Sequence, residues 1–296
     1  SNIIRNNVAS LSGGGLAATG GGGAVIAYDN LFCQNSPDQL SGSWSELGTN
    51  CIGDSCEDED LDGIIDACDD DIPFSTRRVP SEYATVAEAY AAAVEGDVIL
   101  CASGTHQVPD NGGQGLLLDS KNVTLRSEQG AGFTFLQAAG PSQAGRVLTC
   151  ANLSTETVIE GFTIRDGYAS GSFGLGGGIL ATDTDARFVE CRIKNNLASY
   201  AGGGMLVQGD SNIVLQQCEF VTNSSGAGGA LTVAGGSAML LQDCFVGSNS
   251  ANAYGGGIFT LGDLTLEDSS VNNNLSVGKR GAGILTWGGV TTIRNS

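Results

Sequence analysis

The residues best suited to chemistry are the acidic side chains of the segment CEDEDLDGIIDACDDD. Twelve residues starting at Asp58 place oxygen-bearing groups at positions 1, 3, 5, 7, 9 and 12 and a glycine at position 6. Oxygens at alternate positions converge on one cation when the loop folds back, and Gly63 permits that sharp turn. The spacing predicts a Ca²⁺ site whose ligands are the side chains of Asp58, Asp60, Asp62, Asp66 and Asp69 and the carbonyl of Ile64.

The same stretch resembles an EF-hand-like calcium loop and the thrombospondin type 3 repeats, which combine DxDxDG loops with cysteines. It departs from the EF-hand pattern in two ways: Asp69 stands where Glu is usual, and no flanking helices are indicated. The alternative is a merely solvated acidic linker. The spacing and Gly63 together favour calcium.

Four cysteines lie near this loop, and an irregular segment with little core gains most from cross-links. We expect Cys33, Cys51, Cys56 and Cys68 to form local disulfides. The sequence leaves the pairing open, and Cys33–Cys51 with Cys56–Cys68 is our working choice. Nine cysteines in total indicate an oxidising compartment, with at least one thiol unpaired.

A repeat dominates the second half of the chain. Four segments align without gaps: FVECRIKNN, LQQCEFVTN, LQDCFVGSN and LEDSSVNNN. Each carries Cys or Ser at one position and Asn five residues later, and each is followed by a glycine group and an aliphatic run, such as GGGMLV. The small residues are Cys191, Cys218, Cys244 and Ser269; the asparagines are Asn196, Asn223, Asn249 and Asn274.

A period in the mid-twenties with short β-type segments predicts a β-solenoid, in which each repeat is one coil. Equivalent residues of successive coils then stack at about 4.8 Å. Stacked asparagines can bond to one another and satisfy backbone groups at a corner, so we expect the four asparagines to form a structural ladder. The Cys/Ser column is best interpreted as small interior residues rather than as a metal site.

At these residues the sequence resembles a known family. FVTN (220–223) followed by GGAL (228–231) resembles the FxxN and GGA[ILV] repeats of polymorphic outer-membrane adhesins. More broadly, residues 80–296 and 1–36 are similar to pectin-lyase-like right-handed parallel β-helix proteins. The resemblance implies an all-β fold, and it indicates little about activity because the family includes both enzymes and non-enzymes.

The sequence predicts the end of one solenoid before the start of another. Residues 83–105 resemble the N-terminal cap of such β-helices: Thr85 and Glu88 make a capping box, and a short capping helix is expected near 85–95. Residues 6–19 already carry the Asn–loop–glycine unit. We therefore predict terminal coils at 1–36, a Cys-rich acidic calcium-binding linker at 37–79, and a parallel β-helix with its capping helix at 80–296.

Composition excludes several functions. The net charge of −19 would repel nucleic acid, and no apolar run is long enough to span a membrane. Basic residues that could act in a polysaccharide lyase form no recognisable motif with the nearby acids. These candidates are Arg165, Arg187, Arg192 and Lys194, with Asp166, Asp183 and Asp185 close in sequence; His106, the single histidine, is expected to be a turn residue.

We therefore expect no catalytic residues and a non-catalytic extracellular or cell-surface structural module. The alternative is a glycan-binding or glycan-cleaving β-helix, which a groove lined with aromatic residues and paired carboxylates would favour. The low aromatic content of 6% argues against that alternative.

The two ends of the chain together complete one more repeat. Written end to end they read VTTIRNSSNIIRNNVASLSGGG, in which Ile293, Ser296, Ile3 and Asn6 take the four template positions with one extra residue at the seam. We expect the module to assemble head-to-tail with copies of itself or with adjacent modules of the same polypeptide. A third option is that residues 1–36 stack on their own solenoid.

Overall fold

The computed structural model describes residues 75–138, 145–171, 174–278 and 280–296, together with the backbone of seven short strands between residues 3 and 53. The chain divides into two compact units, Ser1–Ser75 and Thr76–Ser296. The predicted calcium ligands between Asp58 and Asp69, and the cysteines Cys56 and Cys68, lie outside the described residues.

The larger unit is a parallel β-solenoid of about seven turns, in which the chain visits four sheets in a fixed order. We number the sheets in that order. Sheet 1 consists of Thr76–Val79, Val98–Cys101, Thr124–Ser127, Thr157–Glu160, Asp185–Val189, Asn212–Gln216, Ala238–Gln242, Asp263–Glu267 and Thr291–Arg294. Sheet 2 consists of Gly104–Gln107, Thr134–Gln137, Thr163–Arg165, Arg192–Lys194, Glu219–Val221, Phe245–Gly247 and Ser270–Asn272.

Sheets 3 and 4 complete each coil. Sheet 3 is short and begins only in the third coil, with strands Tyr168–Ala169, Leu197–Ala198, Ser224–Ala227, Ser250–Tyr254 and Leu275–Ser276. Sheet 4 consists of Leu116–Asp119, Leu148–Ala151, Ile179–Thr182, Met205–Gln208, Leu231–Val233, Ile258–Thr260 and Ile284–Thr286. All strand pairs within these sheets are parallel, so the β-solenoid predicted from the repeat is confirmed.

The interior is filled by columns of aliphatic and aromatic side chains, because alternate residues of each strand face inward. In sheet 1 one such column runs Leu125, Ile159, Phe188, Leu215, Leu241 and Leu266, all fully buried. Burying a large apolar side chain contributes about 1.5–3 kcal/mol. Columns of this kind from the sheets together form one continuous core.

Asparagines form a buried ladder at the corner that follows sheet 2. The side-chain amide of Asn196 donates to Oδ1 of Asn223 (3.1 Å), Asn223 to Asn249 (3.0 Å) and Asn249 to Asn274 (3.0 Å). Each Oδ1 also accepts the backbone N–H of the preceding asparagine. The second amide hydrogen of Asn223 reaches the carbonyl of Ile193 (2.8 Å), so each interior side chain uses its full bonding capacity.

Glycines follow this corner because the chain there turns tightly against the next coil. Gly228 has a φ of +60°, a left-handed conformation that other residues adopt at a cost. A Cβ at Gly229 would collide with the carbonyl oxygens of Gly256 and Ser250 in the next coil. The glycine groups of the repeat therefore serve close packing between coils.

A single α-helix, Val86–Ala92, lies near the first coils within the described residues, which also contain a short 3-10 helix, Asn111–Gly113. Thr85 is its N-cap and accepts the backbone N–H of Glu88 at 3.1 Å, which places the helix within the expected range 85–95. Tyr90 is buried in the core, and its hydroxyl group accepts the backbone N–H of Asp119 at 2.8 Å. The sheet begins before the predicted boundary at residue 80, since Thr76–Val79 pairs with Val98–Cys101.

A buried ion pair fixes the chain around this helix. Asp97 is fully buried and bonds to Nε of Arg77 at 2.6 Å and to the backbone N–H of Val94 at 2.8 Å. These contacts join the first strand of sheet 1 to the turn after the helix. A buried carboxylate needs such partners because desolvation of an unpaired charge is costly.

The smaller unit is also built from parallel strand pairs. One sheet contains Ile3–Arg5, Leu31–Cys33 and Cys51–Gly53, and two further pairs join Leu16–Ala18 to Leu40–Gly42 and Val25–Tyr28 to Trp44–Leu47. Three of these strands lie within the range 37–79 predicted as linker, so the parallel stacking extends past residue 36 to Gly53. Cys33 and Cys51 lie on neighbouring strands, where Cys51 pairs with Leu31.

The ladder predicts a large effect of removing one amide. Asn223→Ala should lower the free energy of unfolding by about 3 kcal/mol, because buried groups of Asn196 and Ile193 lose their partner. Asn252→Ala, an exposed asparagine in a strand, should change it by less than about 0.5 kcal/mol. Urea denaturation followed by circular dichroism measures both. Equal losses for the two variants would show that the ladder adds no stability.

Candidate functional site

Three of the four basic residues singled out in the sequence lie on neighbouring strands of sheet 2, where Arg165 pairs in register with Lys194, whereas Arg187 lies on sheet 1. Arg165 and Arg192 lie on sheet 2, where Arg165 bonds to Gln137 (3.0 Å) and Arg192 to Glu219 (2.9 Å). Arg187 lies on sheet 1 and donates to Gln216 at 2.8 Å. Each of the three is held by a residue of an adjacent coil. Lys194 also lies on sheet 2, in the strand Arg192–Lys194.

The acids near them also have local roles. Asp183 accepts the backbone N–H of Asp210 (3.2 Å), and Asp185 accepts that of Asn212 (2.8 Å). Asp166 lies 3.6 Å from Arg165 at a corner with positive φ. His106 bonds through Nε2 to the carbonyl of Ala102 at 2.8 Å. These contacts link neighbouring coils or close turns.

The Cys/Ser column lies inside the solenoid. Cys191, Cys218 and Cys244 are buried free thiols, and each donates to backbone carbonyls, as Cys218 does to Phe188 at 3.3 Å. Hydrogen bonds to the neighbouring thiols, with burial, raise the pKa of Cys218 well above the usual value. Ser269 continues the column and accepts the backbone N–H of Cys244 at 3.0 Å. Among the described residues no three His, Cys, Asp or Glu side chains are grouped to hold a metal ion.

An apolar groove runs along the outside of the solenoid between sheets 3 and 4. It has a volume of about 760 Å³ and crosses several coils. Its walls come from the ends of sheet 3 strands and from the outward face of sheet 4, where Leu206, Thr232 and Phe259 are paired in register. We call this feature the aromatic groove; its main side chains are Tyr200, Leu206, Tyr254, Phe259, Leu261 and Trp287.

Three rings form a cluster at one end of the aromatic groove. The centroids of Tyr254 and Trp287 are 5.1 Å apart with planes at 61°, and those of Phe259 and Trp287 are 6.0 Å apart at 64°. Such edge-to-face pairs fix ring orientation and add about 0.5–1.5 kcal/mol beyond burial. Trp287 remains 58% exposed, and Tyr200 further along is 72% exposed. Aromatic faces that stay open to solvent are available to a ligand.

The positions of the aromatic residues within the repeat predict that they meet on one face, although the overall composition does not reveal it. Tyr200 and Tyr254 stand just before the glycine groups of their repeats, and Phe259 occupies an aliphatic position after one. Because equivalent positions stack, aromatic residues scattered by tens of residues meet on one face. The overall aromatic content therefore underestimates their local concentration.

The family of the chain follows from comparison with known proteins. A family model described as the right handed beta helix region matches residues 147–296, just over half of the chain. The chain belongs to the right-handed β-helix family. The matched region of this β-helix starts at Val147, just before a strand of sheet 4, and includes the whole Asn ladder and the aromatic groove. Neither the curated proteins nor the solved structures contain a match. No helix of the described residues is long and apolar enough to cross a membrane.

Proposed function

We propose that this β-helix is a non-catalytic extracellular structural module. The observation that carries the proposal is the Asn ladder, in which buried amides are bonded without interruption over four coils. Charged side chains on the outer face are paired between coils, as in Arg126–Glu160 and Arg294–Glu267, rather than gathered around one point. Such an arrangement suits a rigid spacer or scaffold.

We further propose that modules stack head-to-tail. In the last described coil Ile293 is 54% exposed, although Leu266 and Leu241, which precede it in the same inward column, are fully buried, and Ile293 belongs to the outermost strand of sheet 1. Ser296 Oγ accepts the backbone N–H of Ser269 at 3.0 Å, which extends the Cys/Ser column by one position. A following coil would cover these groups, whether it comes from the same polypeptide or from another copy by strand complementation.

Calcium would rigidify the acidic segment at the end of the first unit in sequence. The proposal rests on the spacing of Asp58, Asp60, Asp62, Asp66 and Asp69, with the carbonyl of Ile64, and on the turn at Gly63. Loops of this kind bind Ca²⁺ with affinities that range from cytosolic to extracellular concentrations, so the site is compatible with the proposed extracellular location.

Calcium binding is tested by titration calorimetry and thermal unfolding. At a Ca²⁺ concentration about 100 times the Kd, we expect a gain of about 2.7 kcal/mol in the stability of the segment that binds it. Asp60→Ala should abolish the heat of binding and the gain. Asp210→Ala, an exposed acid of the solenoid, should preserve both. Identical titrations for the two variants, or none for the natural chain, would exclude this site.

Stacking is tested with a tandem chain in which residue 296 is joined directly to residue 1 of a second copy. We expect the tandem to be more stable than the single module by about 2 kcal/mol, because Ile293 becomes buried at the join. Ile293→Asp in the first copy should remove the gain, whereas Phe133→Asp, at an exposed turn, should not. Differential scanning calorimetry measures the differences.

Two outcomes would contradict head-to-tail stacking. A tandem as stable as the single module would show that the ends do not join. If Ile293→Asp destabilised the single module to the same extent, residues 1–36 would be covering the last coil of their own chain. Sedimentation of the single module at increasing concentration separates strand complementation, which gives larger species, from a purely covalent join.

A second candidate function is glycan binding, which the aromatic groove specifically favours. Sugar rings present apolar C–H faces to aromatic rings and hydroxyl groups to polar neighbours such as Gln208 and Asn252, which also line the groove. The groove crosses several coils along the outside of the solenoid, so it suits an extended chain rather than a compact ligand.

Glycan binding is tested with neutral oligosaccharides such as cellohexaose and laminarihexaose. Trp287→Ala should weaken binding about tenfold, because it removes the most exposed ring of the cluster. Phe133→Ala is the matched control, an aromatic residue 62% exposed outside the groove. Calorimetry gives the affinities, and an assay for reducing ends should show no cleavage. Equal affinities for both variants would exclude the groove as the site.

A further inference from the structure

A second pocket, of about 520 Å³, lies at earlier coils of the solenoid and contains a buried arginine. Its walls include Asp110, Gln114, Arg146, Thr149 and Tyr168. None of these residues lines the aromatic groove. We call it the Arg146 pocket.

Arg146 is only 8% exposed, and its bonding capacity is incompletely used. Its Nη2 donates to the carbonyl of Leu175 at 3.1 Å, and its Nε donates weakly to that of Gly176 at 3.4 Å. A guanidinium group has five N–H donors, so three have no protein acceptor within the described part of the chain. Both acceptors are neutral carbonyls.

No carboxylate balances this charge among the described residues. All five ion pairs found there involve other arginines. The adjoining stretch 139–144 reads AGPSQA and contains no acid. Burial lowers the pKa of Arg146 from its usual value, the direction expected of a cation that has lost water without gaining a counter-charge.

Asp110 is the acidic residue of the pocket wall, and it is not paired with Arg146. Its Oδ1 accepts the backbone N–H of Gly113 at 3.1 Å and belongs to a tight turn. Its charge would oppose a second negative charge in the pocket. The cavity therefore favours a ligand with a single anionic group placed against Arg146.

We propose that the Arg146 pocket binds a monoanionic group, a carboxylate, through the unused N–H donors of Arg146. Planar N–H donors in a fork match the two oxygens of a carboxylate, and a low local dielectric strengthens the contact. The same chemistry could come from a free small carboxylate or from an acidic residue of a larger molecule. This inference is independent of the proposed structural function and of the aromatic groove.

The experiment measures binding of acetate, glucuronate and glucose to the full chain by calorimetry at constant ionic strength. Glucuronate or acetate should bind with one site per chain, and glucose should not bind. Binding of acetate alone would identify a free small carboxylate as the ligand, and binding of glucuronate alone an acidic sugar. Binding of glucose as tight as that of glucuronate, or no binding of either anion, would overturn the proposal.

Variants assign the binding to this pocket. Arg146→Met keeps most of the side-chain length and should lower the anion affinity at least about tenfold, whereas Arg146→Lys should retain part of it. Asp110→Asn should raise the affinity about threefold, because it removes the opposing charge without touching the core. This second variant keeps the test valid if Arg146→Met does not fold. The pocket would be excluded if Asp110→Asn left the anion affinity unchanged and Arg146→Met either left it unchanged or did not fold.

Discussion

The constraint on which the rest of the structure depends is that buried polar groups must be satisfied again in every coil. At the corner after sheet 2 strand pairing does not satisfy every buried backbone group. The stacked amides of Asn196, Asn223 and Asn249 bond to the remaining groups and to one another. A carboxamide suits the position because it offers two donors and an acceptor that can receive two bonds. The ladder aligns neighbouring coils, so the strands of sheets 3 and 4 start at matching places.

Functional surfaces in such a fold arise from columns rather than from sequence neighbours. Inward columns must be apolar or fully hydrogen-bonded, as the Asn ladder is, but outward columns are free to vary. Between sheets 3 and 4 they hold the Tyr254, Phe259 and Trp287 cluster in later coils, and Arg146 lies just before the sheet 4 strand Leu148–Ala151 in an earlier coil. The aromatic groove and the Arg146 pocket therefore share a framework while differing in the chemistry they present.

The sequence was sufficient for the solenoid because its signal repeats: Cys or Ser and Asn recur at spacings near 26 residues, and each recurrence strengthens the inference. The short helix could be located from Thr85 because an N-cap acts locally. The ring cluster could not be located from the sequence, because its position depends on which outward columns line a groove. Arg146 gave no signal because its partners, the carbonyls of Leu175 and Gly176, are backbone groups.

The prediction for the first unit was less complete for a related reason. Leu31 pairs with Ile3 across 28 residues but with Cys51 across only 20, so the coil shortens where the template of the later repeats no longer applies. Strands such as Trp44–Leu47 therefore fell inside the predicted linker. The proposed ligands from Asp58 to Asp69 follow directly after this stretch in sequence, outside the described residues.

The amide ladder also gives the solenoid a direction, because the hydrogen bonds between its asparagine side chains all point the same way along the axis. Every Oδ1 receives hydrogen bonds from the preceding coil, starting with Gly167 N–H to Asn196 at 2.9 Å, and the amide nitrogens of Asn196, Asn223 and Asn249 each pass one to the following coil. The column is thus an array of parallel dipoles whose two extremities are chemically unlike. A partner that continues it beyond Asn274 must offer an oxygen acceptor there, whereas at the opposite extremity the chain itself supplies the donor. Two identical faces brought together would match donor with donor, so growth along this axis has an intrinsic polarity.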